Sequence, residues 1–412
     1  MKNQKSYAFS MFVIGSLFFV LGFITWLNAI LIPFLKTACE LTDFAASLVT
    51  SAFYISYFVM AIPSSFILKR TGFSNGMALG LIVMAIGALM FIPAAQSRIY
   101  ILFLIALFVL GLGLALLQTA VNPYVTIIGP IESAARRISI MGICNKVAGM
   151  IGVYLFAKAL FPDAGIATEL PTDPLLRDAA LQALSNRVII PYIIMAAILI
   201  GLVLFIRLAK LPDVQEEENS NTEIKSHRSI FSYPYLWLGV FAIFFYVGAE
   251  VVAIDFLMLL GKEQGIAESV AKHFSIYALI ALVVGYLLGI ATVPKFISQR
   301  IALIIQVLLS ITLVLVALLT SGIITVIAVI LLSFAHAIMW PAIWPLSIRD
   351  LGKHIKLGSA FLIMAIAGGA IIPPVYGKLA GIYGYQSALA ILFVGYAYLI
   401  FFATIGYKIE KK

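Results

Sequence analysis

Pairs of polar side chains stand inside apolar stretches of this sequence, where a lipid-facing helix would not carry them. Gln118 and Asn122 lie four residues apart in LLQTAVNPYVTIIGP, and Thr25 and Asn28 lie three residues apart in FITWLNAILIP. Either spacing puts both side chains of a pair on one face of a helix. Because a carboxamide both donates and accepts hydrogen bonds, these faces suit a ligand rich in hydroxyl groups, such as a sugar.

Ionisable and aromatic residues stand in similar apolar stretches. Charged groups at membrane depth are costly, so each of them is a candidate functional residue. An aromatic ring can stack on the apolar face of a pyranose in a pocket with few convergent polar groups. We therefore expect the substrate-binding residues to be Trp26, Asn28, Gln118, Asn122, Asn145, Glu250 and Trp340. The candidates for ion coupling are Lys146, Glu250, Asp255 and His336.

Each of these residues also has a structural interpretation. The carboxamides can join helices through hydrogen bonds worth roughly 1 kcal/mol each. Lys146 and Glu250 can pair with each other, and His336 can be a buried histidine with satisfied hydrogen bonds. Asp255 stands near the outer end of its apolar stretch, where it can be hydrated, and Trp344 can serve packing or an interfacial belt.

The composition identifies the environment of these residues. The chain has 412 residues, of which 63% are hydrophobic and 11% charged, with a mean hydropathy of +1.10. Soluble domains are about half apolar and about a quarter charged, so this is a membrane protein with several spans. A span needs ~20 mostly apolar residues. Twelve such stretches predict an all-α integral membrane protein, near 8–33, 43–68, 74–95, 99–128, 137–160, 187–209, 234–259, 270–293, 297–319, 323–347, 358–380 and 386–407.

Charges and loops predict how the spans are organised. The net charge of +9 reflects basic residues concentrated in the loops on one side. The positive-inside rule then places both termini in the cytoplasm, and nucleic-acid binding is not expected. The polar segment LPDVQEEENSNTEIKSHRS divides the chain into residues 1–210, a linker at 211–231 and residues 232–412. Two six-helix repeats with a binding site between them are a known transporter plan.

The largest predicted outer loop, residues 161–186, contains the start signal of a helix. Asp173 followed by Pro174 is typical of a capped helix N-terminus. The apolar residues on one face of this helix are Leu175, Leu176 and Ala179. We expect a short helix on the membrane surface, with a plain loop as the alternative.

The N-terminus and the two cysteines complete the sequence-based predictions. MKNQKSYAFS runs directly into a full-length span without a small-residue cleavage site, so we expect a retained first helix and no signal peptide. Cys39 stands near a loop and Cys144 inside an apolar stretch, so a disulfide between them is not expected.

Four motifs in order resemble those of a known family. GFITWLNAILIPFLK, LLQTAVNPYVTIIGP, FFYVGAE and GGAIIPPVYGKLA are similar to segments of the fucose–galactose–glucose:proton symporter family of the major facilitator superfamily, nearest to its glucose/galactose branch. The resemblance covers nearly the whole chain. It implies the major facilitator fold of two pseudo-symmetric six-helix bundles, a central sugar site and alternating access. It also implies that the cavity-facing residues are Asn28, Gln118, Asn122 and Asn145.

The chain departs from this family at three positions. Many relatives read LND in the first span where this chain reads LNA, with Ala29, and fucose-transporting members have a glutamate in place of Gln118. Where relatives read FNS in the fifth span, this chain reads CNK, with Lys146. Two hypotheses therefore remain open. Either Glu250 or Asp255 couples transport to H⁺ or Na⁺, or Lys146 supplies a fixed positive charge in a proton-coupled or uncoupled carrier.

The expected function is cation-coupled import of a monosaccharide, such as glucose or galactose, across the bacterial cytoplasmic membrane. The coupling ion is H⁺ or Na⁺, no cofactor is expected, and the expected partners of the monomer are the sugar and membrane lipid. An uncoupled uniporter, an exporter of hydrophobic compounds and a sugar receptor are the alternatives. An enzyme is not expected, because the sequence has no nucleophile beside a base, no metal-ligand cluster and no phosphate-binding glycine loop.

Overall fold

The computed structural model describes residues 2–127, 134–161, 171, 173–209, 229–293, 295–349, 351 and 355–409, and the regular elements in these ranges are helices. The N-terminal half contains α1 Lys2–Thr25, α2 Asn28–Ala38, α3 Asp43–Ser97, α4 Tyr100–Ile127, α5 Ala134–Leu160, α6 Pro174–Asn186 and α7 Ile189–Ala209. The C-terminal half contains α8 Pro234–Asp255, α9 Leu257–Glu263, α10 Glu268–Ala271, α11 Phe274–Thr292, α12 Gln299–Leu319, α13 Ile323–His336, α14 Met339–Ile348, α15 Ile355–Met364, α16 Gly368–Tyr383, α17 Tyr385–Ala388 and α18 Leu392–Thr404.

Within these ranges, twelve helical segments are long and apolar enough to cross a membrane, as predicted. Spans 1–12 are Phe9–Ala38, Asp43–Ser64, Phe66–Ser97, Tyr100–Val121, Ile140–Leu160, Pro174–Ala209, Pro234–Asp255, Glu268–Thr292, Gln299–Leu319, Ile323–Ile348, Ala360–Tyr383 and Tyr385–Lys408. Because consecutive spans alternate in direction, the described residues that connect span 2 to span 3 and span 8 to span 9 lie at one end of the bundle, here called the terminal end. The described residues that connect span 1 to span 2, span 7 to span 8 and span 11 to span 12 lie at the opposite end, here called the distal end.

The helices of each half pack mainly on one another, span 1 on span 5 and spans 2 and 3 on span 4 in the first half. A sharp bend at Gly72 separates spans 2 and 3 within α3. The φ of 74° at this residue lies in the left-handed region that glycine tolerates. The predicted linker lies almost entirely outside the described residues, so the division into 1–210, 211–231 and 232–412 remains a prediction.

Spans 1 and 10 are each broken inside the bundle, and a similar break follows span 7 before α9. The interruptions fall at Trp26–Leu27, Phe256 and Ala337–Ile338. The prediction that Thr25 and Asn28 share one continuous helical face is therefore wrong, because a turn separates them. Broken helices persist at membrane depth only where protein or an aqueous cavity surrounds the freed backbone, so the breaks mark an interior region where a site can form.

The capped helix predicted in the outer loop is present as α6. The Asp173 carboxylate accepts hydrogen bonds from the N–H groups of Leu175 and Leu176 over 2.9 and 3.1 Å. These two leucines are 82% and 61% exposed, whereas Leu181 and Ser185 are buried against the distal ends of the first spans. The face that carries Leu175 and Leu176 is therefore exposed, and its position on the membrane surface remains a prediction.

Polar contacts join the two halves at the distal end. Lys36 of span 1 forms an ion pair with Asp43 of span 2, and the Tyr385 hydroxyl of span 12 donates a hydrogen bond to the same carboxylate. Lys36 Nζ also donates to the Tyr385 hydroxyl over 3.2 Å. Glu263 Oε1 accepts the backbone N–H of Tyr385 over 2.7 Å. We call Lys36, Asp43, Glu263 and Tyr385 the distal clasp.

Two further hydrogen bonds join the halves, one deeper in the bundle and one at the distal end. The Ser51 hydroxyl of span 2 donates to the Ala370 carbonyl of span 11 over 2.6 Å. Lys272 of span 8 donates to the Phe161 carbonyl at the end of span 5 over 2.9 Å. Together with the distal clasp, these contacts close the distal end in this conformation.

Both cysteines are free thiols. Burial raises the pKa of the Cys39 thiol to about 11, against an opposing effect of the Arg98 charge. At neutral pH the Cys39 thiol therefore stays protonated and is a poor nucleophile.

Candidate functional site

The break in span 1 places Trp26 against span 5. Its indole N–H donates to Asn145 Oδ1 over 3.4 Å, and the Lys146 ammonium lies 4.1 Å from the centre of its ring. A Cβ on Gly149 would lie 2.3 Å from the indole Cδ1, so the close approach requires glycine. We call Trp26, Asn28, Asn145 and Lys146 the N-terminal wall, which combines two carboxamides with a cation held over an aromatic ring.

Asn28 begins α2 directly after the break and is only 1% exposed. Its Nδ2 group has no hydrogen-bond partner within the described part of the chain. Buried polar groups are nearly always satisfied by a neighbour, so an unsatisfied donor at this position is free to bind a ligand. This observation favours the binding interpretation of Asn28 over a role in joining helices.

Span 4 contributes Gln118, whose side chain is half-buried within α4. The helix continues without interruption to Ile127 and so passes Asn122, but the Asn122 side chain lies outside the described residues. The sugar-binding roles of Gln118 and Asn122 remain predictions.

Aromatic residues and one acid form the opposite side of the site. The Tyr246 hydroxyl donates to Glu250 Oε1 over 2.9 Å. The Trp340 ring lies 6.3 Å from that of Tyr246 and 5.3 Å from that of Trp344, with which it stacks at 28°. We call Tyr246, Glu250 and Trp340 the C-terminal wall. Trp340 is half-buried and so retains an accessible ring surface.

His336 lies behind the C-terminal wall. It is fully buried, and its Nε2 shares a 2.8 Å hydrogen bond with the Tyr396 hydroxyl of span 12. Its Nδ1 has no partner. Because its hydrogen bond leads toward the supporting helix, the structural interpretation of His336 is the better supported one, and its role in coupling remains a prediction.

Asp255 ends α8 and is only 1% exposed. The alternative that it is hydrated at the outer end of its span is therefore wrong, because the closed distal end covers it. Neither carboxylate oxygen of Asp255 has a hydrogen-bond partner.

Opposite charges face each other across the two walls. The Glu250 carboxylate is close enough for its charge to act on the Lys146 ammonium. The ion pairs found among the described residues do not join these two groups. Lys146 rests on Trp26, and Glu250 accepts from Tyr246. Each therefore retains hydrogen-bonding capacity for a ligand between the walls.

Two tyrosines of span 2 belong to this region and were not predicted as site residues. The rings of Tyr54 and Tyr57 stack with centroids 6.3 Å apart. The charges of Glu250 and Asp255 both act on Tyr54, and a Cβ on Gly369 of span 11 would lie 2.9 Å from its ring. Two hydroxyl-bearing rings three residues apart in AFYISYF were the available sequence signal.

Comparison with known proteins places this arrangement among transporters. The sequence profile described as Major Facilitator Superfamily matches residues 14–372. The chain is 37% identical over 413 aligned positions to the "Glucose/galactose transporter" of Brucella abortus biovar 1 (strain 9-941), covering 98% of this chain and 96% of that protein. It is 31% identical over 385 positions to the "L-fucose-proton symporter" of Escherichia coli (strain K12), covering 91% of this chain and 87% of that protein.

The fold agrees with these relationships. A crystal structure of the Major Facilitator Superfamily transporter FucP in the outward conformation matches with a TM-score of 0.73 and 29% identity, covering 97% of this chain and 99% of that chain. The fold class and the family resemblance predicted from the sequence are confirmed, and these relatives are transporters and not enzymes. The chain belongs to the major facilitator superfamily, as a twelve-span membrane transporter.

Proposed function

We propose that this protein imports a monosaccharide of the glucose or galactose type, together with H⁺ or Na⁺, as a secondary active transporter. The observation that carries this proposal is the unsatisfied Asn28 donor within the N-terminal wall, opposite the Tyr246–Glu250 pair. Similarity to proteins named glucose/galactose transporter and L-fucose-proton symporter supports the substrate class and the coupling.

The two walls supply complementary contacts for a sugar. The carboxamides of Asn28 and Asn145 can each donate to one hydroxyl and accept from another. Trp340 offers a flat apolar surface to the C–H face of a pyranose, while its polar edge is free to bind elsewhere. A few convergent polar groups in an otherwise apolar site fix the orientation of the ligand.

Alternating access requires the distal end to open and close around this site. Opening would separate spans 2 and 11 and break the contact between Asp43 and Tyr385. Rocking of one bundle against the other around a fixed central site is the usual mechanism of transporters built from repeats. Residues 1–210 and 232–412 are the moving units in this proposal, and residues 211–231 connect them.

The proposed location is the bacterial cytoplasmic membrane, with the terminal end and both chain termini in the cytoplasm. Basic residues at or near the ends of spans on this side include Lys69, Arg70, Lys295 and Arg300. Basic loops stay in the cytoplasm, so the distal end faces the outside. The proposed working unit is a monomer surrounded by lipid.

Uptake into proteoliposomes tests the proposal. Labelled glucose and galactose are offered under an inward proton gradient, an inward sodium gradient and no gradient. Accumulation above equilibrium with one gradient alone is the expected result, and it identifies the coupling ion. If no monosaccharide enters under any condition, the proposal is wrong.

An uncoupled uniporter is the second candidate, and Lys146 is the observation that favours it. A fixed ammonium near Glu250 can supply the positive charge that a coupling cation would otherwise bring. This carrier would equilibrate sugar at the same rate in all three conditions, without accumulation.

A further inference from the structure

Asp255 is a charged side chain of the bundle whose two carboxylate oxygens both lack a hydrogen-bond partner among the described residues. It is the last residue of α8 and is 1% exposed. None of the ion pairs among the described residues includes it. A buried carboxylate is normally paired with a cation or satisfied by donors, so Asp255 lacks a partner that it needs when ionised.

The described groups nearest Asp255 do not bring it the positive charge that it lacks. Glu250, five residues earlier on the same helix, adds a second negative charge that acts on Asp255. Tyr54 faces it from span 2 in the other half. The Ser275 hydroxyl of span 8 donates a hydrogen bond to the Ile254 carbonyl over 2.9 Å and not to Asp255.

Other titratable groups on the packed helices are engaged elsewhere. These pairs are Lys36 with Asp43, Lys146 with Trp26, His336 with Tyr396, and Tyr376 with the Tyr385 carbonyl. The Tyr246 hydroxyl donates a hydrogen bond to Glu250, and the charge of the same carboxylate acts on Tyr286. The described surroundings therefore offer Asp255 negative charge and phenol rings, but no cation paired with it.

The residue after Asp255 connects it to the distal clasp. Phe256 forms the break that follows span 7, and its ring lies 5.1 Å from that of Tyr376 and 6.5 Å from that of Tyr385. The Tyr376 hydroxyl donates to the Tyr385 carbonyl over 2.8 Å, and the Tyr385 hydroxyl donates to Asp43. A change at Asp255 is thus one residue away from the rings that hold the distal end closed.

The geometry points to Asp255 as the residue that binds the coupling cation, and to cation binding at Asp255 as the condition for closing the distal end. This inference rests on the proposed function. The carboxylate takes up one H⁺ or one Na⁺ while the distal end is open and loses it at the terminal end after the opposite opening. The C-terminal end of a helix favours a cation, because its last carbonyl groups carry partial negative charge.

Glu250 has a different role in this account. Its carboxylate accepts a hydrogen bond from Tyr246, and its charge acts on the Lys146 ammonium of the other wall. Asp255 has neither kind of support. Asp255 is therefore the acid of span 7 that takes up a cation from solution in this account.

Distance measurements between spin labels test the inference without any sugar. Labels are attached at Leu175→Cys and Leu319→Cys, two exposed distal positions in opposite halves, after replacing Cys39 and Cys144 by serine. In the parent protein, acidification or added Na⁺ should shift the population toward the short distance of the closed end. A proton carrier responds to pH alone, and a sodium carrier responds to Na⁺ at constant pH.

Asp255→Asn removes the charge without changing the shape of the side chain. This variant should show the short distance in every condition, and it should exchange sugar across the membrane without accumulating it. Asp255→Leu makes the same test if the asparagine variant is not monodisperse. Glu268→Gln is the matched control, because Glu268 is a buried distal acid that is already paired with Lys262 Nζ at 3.2 Å. The control should keep the response of the parent.

Two outcomes would overturn the inference. One is a distance distribution of the parent protein that does not change with pH or with added Na⁺. The other is an Asp255→Asn variant that still responds to cations or still accumulates sugar. Absence of sugar transport in the parent would contradict the proposed function instead, and the distance measurement would remain informative about Asp255.

Discussion

The distal end and the middle of the bundle use the same kinds of polar side chain in opposite ways. At the distal end, charges are paired: Lys36 with Asp43, and Arg177 with Glu40 at 2.5 Å. Glu263 accepts two backbone N–H groups at the start of span 12, over 2.7 and 2.8 Å. The hydrogen-bonding needs of these groups are met within the protein. Their contacts stabilise the conformation in which the distal end is closed.

In the middle of the bundle, polar groups are buried without partners. Asn28 Nδ2 and both oxygens of Asp255 are unsatisfied, and Lys146 rests on an aromatic ring without an acidic partner at ion-pair distance. Leaving buried groups unsatisfied lowers stability, so a protein retains them where a ligand or ion completes them. The difference supports our proposal that distal polar residues control closure and central ones bind the transported species.

The largest effect is expected from Lys146→Ala. This change removes the cation opposite Glu250, and an uncompensated buried charge costs ~2 kcal/mol or more, so uptake should fall roughly 30-fold or more. Lys158→Ala, at an exposed position on the same helix, is the control and should transport normally. If accumulation and sugar affinity are unchanged in the Lys146 variant, Lys146 is not part of the binding or coupling site.

Asn28→Leu separates binding from stability. Because the replaced amide is already unsatisfied, the melting temperature should stay constant or rise, while sugar affinity should fall ~10-fold through the loss of hydrogen bonds to a hydroxyl. Thermal unfolding and equilibrium binding measure the two effects. Asn75→Leu, at an exposed position near the bend in α3, is the control. A lower melting temperature with unchanged affinity would identify Asn28 as a structural contact between helices.

Tyr385→Phe tests the distal side of the comparison. It removes one hydroxyl from the distal clasp, worth ~1 kcal/mol, so the balance should shift about fivefold toward the open distal end. The spin-label distances report this shift, and Tyr383→Phe is an exposed control in the adjoining turn. If the Tyr385 variant instead lost all sugar binding while staying closed, the separation of roles between the two regions would fail.

The smallest effect is expected from Trp340→Phe. An aromatic contact contributes ~0.5–1.5 kcal/mol beyond its buried area, and phenylalanine keeps part of it, so sugar affinity should fall about threefold or less. Trp340→Ala should cause a larger loss. Trp237→Phe changes a tryptophan that stacks on Phe231, away from the site, and should leave binding unchanged. Equal affinities for all three variants and the parent would exclude stacking on Trp340.

Local features of the chain were predictable because their causes are local. The twelve spans follow from runs of apolar residues, and α6 follows from Asp173 and Pro174 at its start. The break in span 1 was not predicted, and the close approach of Trp26 beside it to Gly149 joins residues that are far apart in the sequence. The residue types of the site are visible in the sequence, but their distances and partners are not.

The burial of Asp255 shows the same limit. Its position near the end of an apolar run predicts contact with water, and the closure of the two halves removes that contact. Tyr54 was missed for a related reason, since its proximity to the acids of span 7 arises only when the halves meet.

Binding of glucose or galactose analogues that each lack one hydroxyl tests the central claim most directly. Affinities are measured for the parent, Asn28→Leu and the Asn75→Leu control, so that each analogue completes a double-mutant cycle. If the unsatisfied amide binds a sugar hydroxyl, the ~10-fold difference between parent and Asn28→Leu should nearly vanish for one analogue and persist for the others. The same difference for every analogue, or none for the intact sugar, would contradict the account.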